Sequence, residues 1–281
     1  MTLLRRSWLR TLAYGLGLYA VVTVATVATE NIHLVPSVLM LGALLVPVTF
    51  VVYVFERLDV GMELVPSLAA CFVVGGLVGT AAASILEYET LRDLGVLQML
   101  GIGLIEESVK LAIPLVLFVR RRFLDPSAGV LIGIAAGMGF ASFESMGYGL
   151  VELIQSHGQL GPTEALLAVR GVAAPAGHAA WTGLVCAALW RARARGARGR
   201  QWMPVAAAFC VAVLLHTLWD LTDSAALRSG VAAVSIALLA TQLHAVRSDG
   251  SHRRLTAVAG ADGASDGRGA VVRPLAGELN R

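Results

Sequence analysis

The 281-residue sequence predicts an all-α protein: a polytopic membrane helix bundle of about eight transmembrane helices, N-in and C-in. Three observations predict it. First, 57% of the residues are hydrophobic and 15% charged, with mean hydropathy +0.73, against about 25% charged in soluble domains. Second, apolar runs recur along the chain, each near the ~20 residues that cross a bilayer core of roughly 30 Å. Third, the basic residues fall in alternate connections between those runs, as they do when cytoplasmic loops hold the positive charge.

The apolar runs cover residues 12–29, 34–55, 65–86, 94–119, 128–150, 172–190, 203–221 and 230–246. The first follows MTLLRRSWLR and exceeds the ~7–15 residues of a signal-peptide core, so it reads as a retained helix. Pro47, Pro114, Pro175, Gly137 and Gly139 lie inside runs, where a membrane helix tolerates them at bends or close packing. Three regions are expected: an N-terminal three-helix part (1–93), a transmembrane core (94–246) and a disordered cytoplasmic tail (247–281), the last rich in Gly, Asp, Ser and Arg.

With the N-terminus placed in the cytoplasm, 18 of the 22 Lys and Arg residues fall inside. Arg92, Arg170 and Arg228 fall outside, and Lys110 lies within the membrane. The net charge of +3 therefore reflects topology in a multi-pass protein of the cell membrane and points to no nucleic-acid partner. The RARARGARGR loop is read as a topology anchor in preference to a nucleic-acid or anionic-lipid patch. Cys71, Cys186 and Cys210 show no CxxC spacing and read as small hydrophobes.

The stretch GIGLIEESVKLAIP (101–114) puts Glu106, Glu107 and Lys110 inside an apolar run. Each ionisable group near a helix centre costs ~2.5–3.5 kcal/mol on insertion scales. Either buried polar partners offset that, or the residues do chemistry. Glu144, His178, His216 and Asp220 are equally costly, and they lie on the next three runs. Lys110 stands four residues after Glu106 and three after Glu107, so it can neutralise one of them. Adjacent residues diverge by ~100° around a helix, so the two glutamates differ in role. His216 and Asp220 share a face at i, i+4, as do Phe140, Glu144 and Tyr148 along one stripe.

Depth brings these residues together. Glu106 is ~17 Å below the outer end of its helix, and Glu144, His178, His216 and Asp220 lie about 5–10 Å from the outer face at 1.5 Å per residue. One site open to extracytoplasmic water is expected. Glu152, His157, Glu164 and His244 read as loop or interfacial residues, and Met138, Met146 and Trp181 as packing.

At these residues the chain resembles the PrsW family of intramembrane proteases. The elements are EExxK (Glu106, Glu107, Lys110), FxxxE (Phe140, Glu144), Arg170 followed by PxGHxxxT (Pro175, His178, Thr182), and HxxxD (His216, Asp220). The resemblance spans residues 94–220 and leaves out the first three helices and the tail. It implies an endopeptidase acting on membrane-anchored proteins near the extracytoplasmic face, as in site-1 cleavage of an anti-sigma factor. The family is distantly similar to the CAAX-prenyl endopeptidases (EExxxR, FxxxH, HxxxN), from which this chain departs with Glu144 in place of the second motif's histidine.

Peptide hydrolysis needs an activated water, an oxyanion stabiliser and a proton donor. In one version Glu107 or Glu106 is the base, His178 orients the water, His216 aligned by Asp220 stabilises the oxyanion, and Lys110 balances charge. In the other, His178, His216 and a carboxylate such as Glu144 or Asp220 hold a metal ion, with Glu107 as base. That ligand set suits Zn²⁺, although the sequence contains no HExxH. GxSxG and GxGD motifs are also missing. A proton-coupled transporter, with Glu106, Glu107, Glu144 and Asp220 as a relay and with broken helices, is the alternative. A non-catalytic scaffold comes third.

Overall fold

A computed structural model describes residues 6–58, 60–90 and 97–266, with 249–266 given by their backbone. Among the described residues every regular element is helical. In chain order these are α1 (Ser7–Thr29), α2 (Val35–Leu58), α3 (Met62–Thr90), α4 (Leu97–Lys110), α5 (Ala112–Val119), α6 (Pro126–Gln155), α7 (Leu160–Ala173), α8 (His178–Ala194), α9 (Met203–Leu221) and α10 (Ala225–Asp266). Seven spans among the described residues are long and apolar enough to cross a membrane: α1, α2, α3, α6, the joined α7 and α8, α9, and Ala225–Ser248 of α10. The chain is a multi-pass helical membrane protein.

Two elements depart from the sequence expectation. The run 94–119 is two helices, α4 and α5, broken at Leu111, with 94–96 outside the described residues. Pro114 causes the break: it has no N–H to give to the Lys110 carbonyl, and its ring crowds that oxygen. The backbone answers with a tighter Leu111 N–H···O Ser108 bond of 3.2 Å before Leu115 N–H restarts the ladder on Leu111 O at 2.8 Å. The second departure is α7, which occupies residues expected to be mostly loop. Gly161, Pro162, Glu164 and Arg170 interrupt the apolar run there, yet Pro162 sits in the first turn, where no N–H is needed. Glu164 is thus helical and accepts from Tyr19 Oη at 3.4 Å, and Glu152 lies in the last turn of α6. Between α7 and α8 the chain makes a short turn, Ala174–Ala176, and leaves helical geometry at Gly177 (φ −111°, ψ −107°).

Helix α6 is the centre of the bundle. Asp125 caps it, its Oδ1 accepting from Ser127 N–H at 2.7 Å, and Pro126 begins the first turn. Gly129, Gly133 and Gly137 form one small-residue stripe facing α8, close enough that a Cβ on Gly133 would stand 2.6 Å from Thr182 O. Such stripes let membrane helices approach backbone to backbone. Around the helix from this stripe, Gly139 meets Phe72 in the π turn Ala70–Gly75 of α3. A Cβ on Gly139 would strike the Phe72 carbonyl. Gly139→Ala is therefore expected to destabilise the fold by about 1–3 kcal/mol. Gly147→Ala, with open space at its Cβ, is the matched neutral control. Thermal unfolding in detergent measures both.

Cys71 and Cys186 are buried as expected, whereas Cys210 lies on an exposed face of α9. The tail expected from residue 247 meets a helix that continues to Asp266; residues 267–281 lie outside the described residues.

Candidate active site

The site is built around Lys110, whose side chain is wholly buried at the end of α4. Its Nζ donates to Glu106 Oε2 at 3.0 Å and to Glu107 Oε1 at 2.8 Å. It also stands 2.8 Å from His178 Nδ1 and 4.3 Å over the Phe140 ring. Lys110 thus bridges both glutamates, where the sequence allowed for one. An ammonium with several acceptors and an aromatic face offsets the cost of burying a charge pair.

The two glutamates part as their 100° separation demands. Glu107 is 1% exposed and turns inward. Its Oε1 meets His216 Nδ1 at 3.0 Å and its Oε2 accepts from Thr182 Oγ1 at 3.5 Å. Glu106 turns to a cavity of about 710 Å³, a size typical of ligand sites. His216, on α9, presents Nε2 to the same cavity, 3.5 Å from Glu106 Oε2 and 3.3 Å from Asp220 Oδ2.

His178 opens α8 directly after the Gly177 break. Its Nε2 lies 3.2 Å from Glu144 Oε2 on α6. Arg170 of α7 holds that carboxylate, donating from Nη2 to Glu144 Oε2 at 2.7 Å and from Nε to Ser145 Oγ at 3.0 Å, with its guanidinium 4.0 Å over Tyr148. Phe140, Glu144 and Tyr148 therefore all meet members of this network, Phe140 meeting Lys110 and His178, Glu144 meeting His178 and Arg170, and Tyr148 meeting Arg170. Glu106, Glu107, Lys110, Glu144, His178, His216 and Asp220 all fall within it.

Two participants escaped the sequence reading. Trp181, read as packing, stacks on His216 (centroids 4.7 Å apart, planes at 25°) and donates from Nε1 to Ser235 Oγ at 2.9 Å. Its position three residues after His178 on one helix was the available signal. Glu87, on α3, lines the cavity with a buried Oε1 that has no hydrogen-bond partner. Nothing in the surrounding sequence of α3 marks it.

One donor atom each from Glu106, His178 and His216 lies within 4.8 Å of the others, the one such cluster among the described residues. The sequence candidates for a metal paired the histidines with Glu144 or Asp220; the cluster pairs them with Glu106.

A family model for PrsW family intramembrane metalloproteases matches residues 63–246. The chain belongs to this family. As a PrsW protein it is a membrane-embedded peptidase of a metalloprotease family, and its substrates are membrane proteins. The match takes in α3, which the sequence motifs alone did not reach, along with the entire site. Among curated proteins and among solved structures, none matches.

Proposed function

We propose that this PrsW protein is a zinc-dependent endopeptidase that cleaves membrane-anchored proteins near the extracytoplasmic face, an anti-sigma factor being the substrate class the family resemblance offers. The observation that carries this reading is the convergence of Glu106, His178 and His216 on one cavity wall. The residues fit the ion. Two ligands of a tetrahedral site with ~2.0–2.1 Å bonds stand about 3.4 Å apart, and His216 Nε2 is 3.5 Å from Glu106 Oε2. Two histidines and a glutamate are also a known catalytic zinc set. Bound there, the ion would polarise the scissile carbonyl and make its water more acidic.

The chain's own groups do the rest. Glu107 accepts the Nδ1–H of His216 and so fixes the tautomer that leaves Nε2 toward the cavity, the usual duty of a carboxylate behind a ligating histidine. Trp181 holds the same ring flat. Lys110 offsets the charge of the glutamate pair and keeps Glu106 in place. Glu144, half-buried on the same cavity wall, has its Oε2 3.2 Å from His178 Nε2. It is placed to take the proton of an attacking water and return it to the leaving amine. Arg170 steadies it.

With α4 and α5 together taken as an eighth crossing, the arginine distribution supports an N-in, C-in topology with the cavity on the outer side. The breaks at Leu111 and Gly177 match what a transporter would show, but they also deliver Lys110 and His178 to the site, and the family match favours hydrolysis. Chelation of the purified protein is expected to abolish cleavage, with Zn²⁺ restoring it. Full activity after chelation would remove the ion and leave Glu106 as the base. Comparing protein N-termini in membranes of cells with and without the chain tests the reaction itself. New ends near the outer face of single-pass proteins are expected, and identical maps would favour the transporter.

A further inference from the structure

A second cavity, of about 530 Å³, lies at the opposite end of the bundle between α8, α9 and α10. Arg191 is 13 residues beyond His178 on α8, so the cavity's charged end is ~20 Å along that helix from the active site. Arg191 and Arg195, at i, i+4, stand on one side of the cavity, and Gln201 of the following turn on another. Arg191 Nε donates to Ala187 O within α8 at 3.2 Å. Ala188, Ala192 and Ala208 leave the space that larger side chains would fill.

The cavity is amphiphilic along its length. From Arg195 back to Leu184 is eleven residues, or ~16 Å of helix rise. The Arg end belongs to the arginine-rich connection, whereas Leu184 and Ala208 lie inside apolar spans. Gln242 of α10 adds the telling detail. Its Oε1 is buried with no hydrogen-bond partner, and the residue lines this cavity. A buried amide without a partner costs ~1–3 kcal/mol, and the amide can turn either end to a ligand.

We propose that this cavity binds a phosphate group, and that its source is the headgroup of an anionic phospholipid whose glycerol and first acyl carbons run along Leu184 and Ala208. Guanidinium groups match phosphate geometry with paired N–H donors. Basic pockets between helices at the positive end of a membrane protein are where anionic headgroups bind. A free phosphate ion would leave the apolar half of the cavity unfilled. The site is independent of the peptidase reading.

The test is the thermal unfolding midpoint of the full chain in an uncharged detergent, with phosphatidylglycerol, phosphatidylcholine or inorganic phosphate added. Phosphatidylglycerol at a hundredfold excess over its Kd is expected to raise the midpoint by roughly 5–10 °C, and phosphatidylcholine by much less. The shift is expected to vanish in Arg191→Gln/Arg195→Gln and in Ala188→Phe, which fills the cavity and keeps both arginines. Reading the shift on addition, not the absolute midpoint, separates binding from any loss of stability in the variants. No phosphatidylglycerol shift, or one that both variants keep, would overturn the proposal. Equal shifts with phosphatidylcholine would overturn the charge requirement. A shift reproduced in full by inorganic phosphate would assign the site to the free ion and overturn the lipid.

Discussion

Glu106→Gln is expected to lower peptide cleavage by at least about 10³-fold, while Glu107→Gln costs about 10- to 100-fold. The first removes the carboxylate that faces the cavity and stands 3.5 Å from His216 Nε2. A glutamine there can neither hold an ion with the same affinity nor accept the proton of a water. The second acts one layer further back. Carboxylates that orient a ligating histidine are worth roughly 10- to 100-fold in metal affinity or activity, and Glu107 reaches the reaction only through His216 and Lys110. Cleavage of a single-pass reporter at matched expression measures both, with zinc content as a second readout. The reverse order of severity would make Glu107 the group that touches the substrate.

Lys110→Met is expected to produce the largest loss of stability of any single replacement in the site, about 3–5 kcal/mol. Methionine keeps the unbranched apolar stem of the side chain and ends one heavy atom short of the ammonium nitrogen. What it removes is the ammonium between two buried carboxylates, and an uncompensated buried charge costs far more than the pair is worth. The triple variant Glu106→Gln/Glu107→Gln/Lys110→Met should recover most of that stability, because it removes the charges together. A melting midpoint that stays low in the triple variant would show that Lys110 acts by shape and not by charge.

Much of this site was legible in the sequence because the membrane makes ionisable residues expensive. Glu144, His178, His216 and Asp220 stood out from their apolar runs, and counting residues from the helix ends put them at one depth. What the sequence lacked was azimuth. It showed that Glu106 and Glu107 point 100° apart, but the neighbour that each faces is set by how α8 and α9 pack on α4. Trp181 was passed over because an indole in an apolar run looks like packing, and it is packing, with a histidine as the partner. Glu87 escaped for a different reason: it lies near the end of α3, where a charged residue costs little and draws no notice. The break at Leu111 could have been read from Pro114. Helix α7 could not be read from hydropathy, since its polar residues serve the site and its neighbours.

The glycine stripe on α6 has a consequence for how a substrate enters. Gly133 and Gly137 lie against the α8 backbone at Thr182 and His178, and Gly129 lies against the Trp190 ring, so parting the two helices would surrender close contact over these turns. The pair behaves as a fixed post. Glu144 and His178, mounted on its two halves, therefore keep their spacing while a peptide comes and goes. The other walls of the cavity come from α3 with Thr80, Ser84 and Glu87, from α4 with Met99 and Ile102, and from α7 and α9 with Val169 and Trp219. A substrate therefore meets at least one wall of fixed spacing, on the side of α6 and α8.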